Sequence, residues 1–372
     1  MKAALKLAWC LVSLALLSVT GAPAQTSKKV VIGAIIPLTG GGAQSGMLMQ
    51  RGIEMAISDI NAAGGLEGTE LSVRYADAGD QPSNGPTALR RMKEIDGIEF
   101  SVIANSNVTL ATVPVATELK IVLINGGGQS NKLVGASPWL FNVIPPTNYE
   151  IARLAEWAAK ALGKSAVVTY STDPIGKDAW ANWQEFFEKA GGKIITAESV
   201  AFGQSDFRSA LVKLREAARG ADFWFVGGTY GADAVRLFDQ ARNIGIKIQI
   251  VSGAVTPGTI DPAQPLLKGL IHTKLETKPT DDYRTRFKAR FNAEPDFYSS
   301  AYYEAVTIYA EAKKYAKGKG YEGAEGLRRA IAEIKSFTTP AGSVAFDERN
   351  ATQSGLEIVK RQEDGSLAVL AE

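Results

Sequence analysis

The chain has 372 residues, 45% of them hydrophobic and 22% charged, enough for two ordinary globular domains. Its 41 basic and 39 acidic residues nearly cancel, which argues against nucleic acid or acidic lipid as a charge-driven partner. One histidine, His272, and one cysteine, Cys10, leave no Cys-His pair and no histidine-based zinc site, and no catalytic triad is marked.

At the N-terminus Lys2 and Lys6 precede the apolar stretch Leu11 to Val19, and Ala22-Pro23-Ala24 has small residues at signal-peptidase spacing. This predicts a signal peptide over residues 1–24, cut after Ala24. The apolar stretch is too short for a comfortable membrane span. Trp9 before Cys10 does not fit a lipoprotein signal. Cleavage removes Cys10, so the expected product is an exported, soluble, disulfide-free protein of the periplasm.

From Lys29 the chain alternates. The run "KVVIGAIIPL" (29–38) reads as a strand of a buried parallel sheet, and the apolar spacing from Gly46 to Ile60 reads as a helix ended by "AAGG". Strand "LSVRYAD" (71–77), helix 86–95, strand "FSVIA" (100–104), helix 108–119 and strand "IVLI" (121–124) follow. After "VIPPTN" the pattern restarts with helix 149–162 and strand "SAVVTY" (165–170). It continues through helix 175–190, strand 193–200, helix 207–218, strand 222–227, helix 232–243 and strand 247–253. Two such βα blocks predict two doubly wound, parallel-sheet α/β lobes. Beyond His272 come helices 281–291, 299–314 and 324–334, then a β-like tail with a hairpin turn at Asp364–Gly365.

Little in this pattern is catalytic. "LGKS" (162–165) has Ala158 where a P-loop needs its first glycine, and it runs from helix to strand, so it reads as a helix end. His272 reads as an exposed or hinge-side residue. Trp180, Trp183, Phe186 and Phe187 crowd one helix and read as core. More informative are the loops after the strands: "TGGGAQSG", "NSNVT", "NGGGQS", "STDPIG", "GGTYGA" and "SGAVTPG". They are small, polar and almost uncharged. In open α/β sheets ligands settle at such strand ends, where helix N–H groups suit a small carboxylate or another oxygen-rich group.

"IGAIIPLTGGGAQSGMLMQRGIEMAISDINAAGGLEGTEL" and "FGQSDFRSALVKLREAARGADFWFVGGTYGADAVRLFDQARNIGI" resemble the opening and second-lobe segments of the periplasmic branched-chain amino-acid-binding proteins of ABC importers. The resemblance runs over nearly the whole chain after residue 24. It implies a type I periplasmic binding protein, non-enzymatic and without cofactor or metal. Three hinge crossovers would join lobe 1 (28–146 and 276–350) to lobe 2 (147–275 and 351–372). A small solute would bind between the lobes, and the closed form, a monomer, would dock on a permease in the inner membrane.

On this resemblance the carboxylate-gripping serine falls on Ser106, with Asn105 beside it, and the next ligand loop on Gly127, Gly128 and Gln129. Gln44 and Ser45 lie in the first loop, and Tyr230 or Thr229 takes the place of a lobe 2 aromatic. Ile175 replaces an aromatic. The family's disulfide positions fall on Gly79 and Asn105. The acid that pairs a ligand ammonium is replaced by Ala254, in a loop without any carboxylate. A buried ammonium without a partner is costly, so the implied ligand is an aromatic or aliphatic acid. An amide also lacks the ammonium, and Asp173 is a substitute charge that keeps a branched-chain or other amino acid as the alternative. A ligand sensor and a hydrolase of small amides are the competing classes.

Overall fold

A computed structural model describes residues 29–79, 81–201, 203–229, 231–253, 265–352 and 355–371. The predicted signal peptide, Tyr230 and Ala254 lie outside these residues.

The first lobe is built on β1 (Lys29–Ile36), β2 (Glu70–Asp77), β3 (Phe100–Ala104), β4 (Val122–Gly127) and β5 (Leu140–Asn142), alternating with α1 (Ala43–Ala62), α2 (Asn84–Asp96) and α3 (Ser106–Leu119). The strands form one parallel sheet in the order β2-β1-β3-β4-β5. Both faces are covered, as the continuous apolar runs require. Phe100, Val102, Val122 and Ile124 point into one core, while Ile103 and Leu123 point into the other with Leu89, Val108 and Val113.

The chain then crosses into α4 (Thr147–Ala161), β6 (Ser165–Ser171), α5 (Pro174–Lys189), β7 (Lys193–Val200), α6 (Arg208–Ala218), β8 (Phe223–Gly227), α7 (Gly231–Asn243), β9 (Gln249–Gly253) and β10 (Ile271–Glu276). It returns to the first lobe for α8 (Asp281–Phe291), α9 (Phe297–Gly318), α10 (Gly323–Ile334) and the hairpin β11 (Ser336–Thr339) with β12 (Gly342–Ala345). A third crossing leads to β13 (Gly355–Arg361) and β14 (Leu367–Ala371). The second sheet, β14-β13-β10-β9-β8-β6-β7, is parallel from β10 to β7, while β13 and β14 run antiparallel. The sheet is therefore mixed, because the tail forms a hairpin around Asp364–Gly365 and adds to its edge. Trp183 and Phe187 are buried, Trp180 and Phe186 pack against the same core, and Trp183 stacks on Phe225 at 3.8 Å between ring centroids.

Within the first lobe α9 packs closely against α1. A Cβ on Gly52 of α1 would lie 2.1 Å from the Ser299 carbonyl oxygen, so the two backbones touch there. Asp296 caps α9 by accepting from the Ser299 backbone N–H at 2.8 Å, and Ser299 Oγ accepts from the Asp296 N–H. This capping box starts the helix two residues before the sequence pattern did.

His272 corrects the expectation of an exposed residue. It sits in β10 between β9 and β13 and is 1% exposed. Its Nδ1 lies 2.8 Å from the Thr273 carbonyl, which only accepts, so Nδ1 carries the proton. Burial pushes its pKa down to about 4. An unfolded histidine titrates near 6.5, so below that pH the unfolded chain binds the extra proton and stability falls as pH drops toward 4. We expect about 3 kcal/mol to be lost through this group by pH 4. Urea unfolding of wild type and His272→Leu at pH 7 and pH 4 measures it; an equal acid loss in both would refute it.

The candidate ligand cleft

The parallel strands of both sheets end at a common gap, and α1, α3, α5 and α7 each begin beside a strand end there. In the first lobe, α1 and α3 start without a side-chain cap and without an acid in the first turn. Their positive ends favour an anion, although the Ala43 N–H bonds the Gly40 carbonyl and the Val108 N–H donates to Asn107 Oδ1 at 2.8 Å. In the second lobe, Asp173 caps α5 by accepting from the Gly176 N–H at 2.9 Å, and Asp233 lies in the first turn of α7. The first lobe also has an acid at its strand ends, Asp77, but its carboxylate is taken up by the Leu38 and Gly79 N–H groups and the Thr39 hydroxyl.

The first-lobe loops are held in detail. Gln44 is exposed and Ser45 half-buried in the opening turn of α1. Asn105 adopts φ 66° with ψ 126°, outside the left-handed helical well that asparagine ordinarily fills, and its Nδ2 donates to the Gly79 carbonyl at 2.9 Å. A hydrogen bond thus joins the two positions to which the family resemblance assigned a disulfide. Ser106 is 6% exposed, and its Oγ accepts from the Ser130 N–H at 3.1 Å, leaving the hydroxyl proton available.

The glycine run behaves differently from the expectation of an open loop. Gly126 and Gly127 belong to β4, and buried Asn125 gathers the turn that follows. Asn125 Oδ1 accepts from Gly127 N–H at 3.2 Å and Gly128 N–H at 2.8 Å, so both amides point inward. These glycines supply close approach instead of donors: a Cβ on Gly128 would lie 3.0 Å from the Ser106 nitrogen. Gln129 is turned toward the hinge. Its Nε2 donates to Glu150 Oε2 at 2.8 Å and more weakly to the Pro145 carbonyl at 3.3 Å. Glu150, 1% exposed, also accepts from the Thr273 hydroxyl, tying α4 to β10.

In the second lobe, Asp173 also accepts from the Ser171 hydroxyl, and burial raises its pKa above the usual carboxylate range. Ile175 is 5% exposed and packs into the α4–α5 core. Thr229 is 4% exposed, and its Oγ1 has no hydrogen-bond partner among the described residues. Of the expected site residues, the structure brings Ser106, Gly127, Gly128 and Gln129 together around the β4 loop. It places Ile175 in a core.

Asp178 on α5 went unrecognised in the sequence, where an acid on a helix face carries no signal. Its carboxylate accepts from Ser130 Oγ at 2.5 Å and from the Asn131 N–H at 2.7 Å, both in the other lobe. Across the gap a Cβ on Gly231 of α7 would lie 3.1 Å from the Gly41 carbonyl oxygen. The lobes meet at both places. No helix among the described residues is long and apolar enough to cross a membrane, and these residues hold no metal-binding group of His, Cys, Asp and Glu.

Residues 29–365 match the periplasmic binding protein family. The chain belongs to this family. As a periplasmic binding protein it is 25% identical to the Leu/Ile/Val-binding protein homolog 1 of Brucella melitensis, covering 86% of each chain. Its fold matches the branched-chain amino acid transporter substrate-binding protein LivJ of Streptococcus pneumoniae, solved with isoleucine. That match has a TM-score of 0.80 and 21% identity, covering 93% of this chain and 100% of the other. It matches equally an ABC transporter solute-binding protein of R. palustris solved with benzoate, with a TM-score of 0.80, 18% identity and 92% and 96% coverage. These relatives and neighbours are solute-binding proteins, not enzymes.

The Asp178 contacts generate a test of closure. Asp178→Ala removes two hydrogen bonds to a carboxylate across the gap, enough to shift the open–closed balance about tenfold toward open. Small-angle scattering of the ligand-free protein should show a larger radius of gyration for the variant; superimposable curves would count against a latch.

Proposed function

We propose that this periplasmic binding protein is the extracytoplasmic receptor of an ABC importer and traps a small organic carboxylate by closing its lobes. The carrying observation is that donors stand on the first lobe, where Asp77 is already taken up by Leu38, Thr39 and Gly79. The uncapped helix starts and the Ser106 hydroxyl stand on the first lobe, and the second-lobe acids are already engaged. Asp173 caps its own helix and Asp178 holds the other lobe. A carboxylate finds donors on the first lobe. The Thr229 hydroxyl offers a further polar contact from the second. In these loops an α-ammonium finds only acids that already cap α5 or bridge the lobes, and a buried cation without a partner of its own is unfavourable.

The lobes are assigned as 28–146 with 276–350 and 147–275 with 351–372, and a monomer in the periplasm would deliver its solute to an inner-membrane permease. The benzoate bound to the R. palustris neighbour belongs to the preferred class of ligand. A branched-chain amino acid is the second reading, favoured by the Brucella relative's name and by Asp173, whose carboxylate lies at the gap with one oxygen in the helix cap.

Thermal unfolding against a panel of benzoate, short aliphatic acids, leucine, isoleucine and valine decides between them. At a hundredfold excess over Kd a true ligand adds about 2.7 kcal/mol and raises the Tm by several degrees. Stabilisation by the acids, lost about tenfold in affinity in Ser106→Ala, is expected. Stabilisation by the amino acids alone would reverse the assignment.

A further inference from the structure

Behind the crossovers, at the β10–β13–β14 end of the second sheet, lies a cavity of about 280 Å³. His272, Arg361 and Leu367 line it from the second lobe, and Gln129, Phe297 and Tyr298 from the first. The cleft loops follow β6, β8 and β9, displaced along the sheet from this end. His272 is 1% and Arg361 4% exposed, yet His272 Nε2 and Arg361 Nε have no hydrogen-bond partner among the described residues. In the β10–β13 register Val359 faces His272, so Arg361, two residues on, is a diagonal neighbour on the same face.

The two orphan groups are complementary. The Nδ1 proton is directed at the Thr273 carbonyl, so Nε2 bears a lone pair and accepts. The Arg361 guanidinium only donates, and among the described residues its hydrogen bonding is a weak bond from Nη1 to the Gly365 carbonyl at 3.3 Å. No carboxylate pairs with it among the described residues. Of the other charges on the cavity wall, Lys274 pairs with Glu276 and Glu357, Asp296 accepts from Ser299, and Arg284 donates to the Pro279 carbonyl at 3.4 Å. A buried guanidinium without a carboxylate favours an anion, and a buried lone pair favours a donor. Phe297, Tyr298 and Leu367 offer apolar walls to the body that carries both.

We propose that this cavity is a second ligand site. It takes a small organic anion bearing a hydroxyl group, with the carboxylate on Arg361 and the hydroxyl donating to His272 Nε2. The occupant touches both lobes, so its binding and closure over the cleft influence each other reciprocally. The site does not rest on the cleft reading.

Because His272 is the single histidine, ¹⁵N-histidine labelling of protein purified without a polyhistidine tag reports on this cavity alone. The probe is 3-hydroxybenzoate, with benzoate as the comparator that lacks the hydroxyl. A saturable shift of the Nε2 resonance toward its hydrogen-bonded value is expected with 3-hydroxybenzoate. The shift should persist in Ser106→Ala and need at least about tenfold more probe in Arg361→Met. An Nε2 resonance unmoved at millimolar probe overturns the site, as does a shift abolished by Ser106→Ala or equal in Arg361→Met. If Arg361→Met does not fold, the comparator decides: the same Nε2 shift with benzoate also overturns it, and a shift with 3-hydroxybenzoate alone upholds it.

Discussion

Two buried carboxamides, Asn125 and Asn142, hold together the point where the lobes part. Asn125 Nδ2 donates to Asn142 Oδ1 at 2.9 Å and to the Gly128 carbonyl at 2.7 Å, while its own oxygen gathers two glycine amides. The Asn142 backbone in turn bonds the third crossover at Asn350 and Thr352. One buried polar node therefore shapes the glycine loop and sets the first and third crossovers side by side. Buried polar networks of this kind are stabilising only when complete, and replacing either amide would leave several groups unpaired. The loop beside Ser106 owes its shape to this node.

The elements that sequence made legible are those with a long, uniform signal. Strands such as Phe100–Ala104 and Phe223–Gly227 are apolar on both faces because both faces are covered, and the helices between them carry clear stripes. Leu140–Asn142 is too short to show a period, and Ile271–Glu276 mixes a histidine and a lysine into its run, so neither strand stood out. The cleft was legible as a set of loops at strand ends. Its internal wiring was not, because whether Gly128 N–H faces a ligand or Asn125 depends on a side chain three residues back. Gln129 is the sharpest case. Its place in the loop suggested a ligand contact, and its partner, Glu150, lies 21 residues on, across the first crossover.

The hinge is more than a flexible joint. Glu150 links the β4 loop to β10 through Gln129 and Thr273, and His272 is the next residue along β10. The same short strand thus presents alternate side chains to two different environments, one filled by α4 and one open to a cavity. Any rotation of the lobes must carry Thr273 and His272 together, because adjacent residues in a strand are fixed back to back.

The bond from Asn105 to Gly79 has a consequence for biogenesis. It holds the turn before Ser106 against the neighbouring loop with a non-covalent contact. With Cys10 the sole thiol in the sequence, no oxidant or disulfide isomerase is needed to set that turn. This periplasmic binding protein should reach the same fold in a reducing compartment as in an oxidising one, and a change in redox poise leaves the Asn105–Ser106 turn untouched.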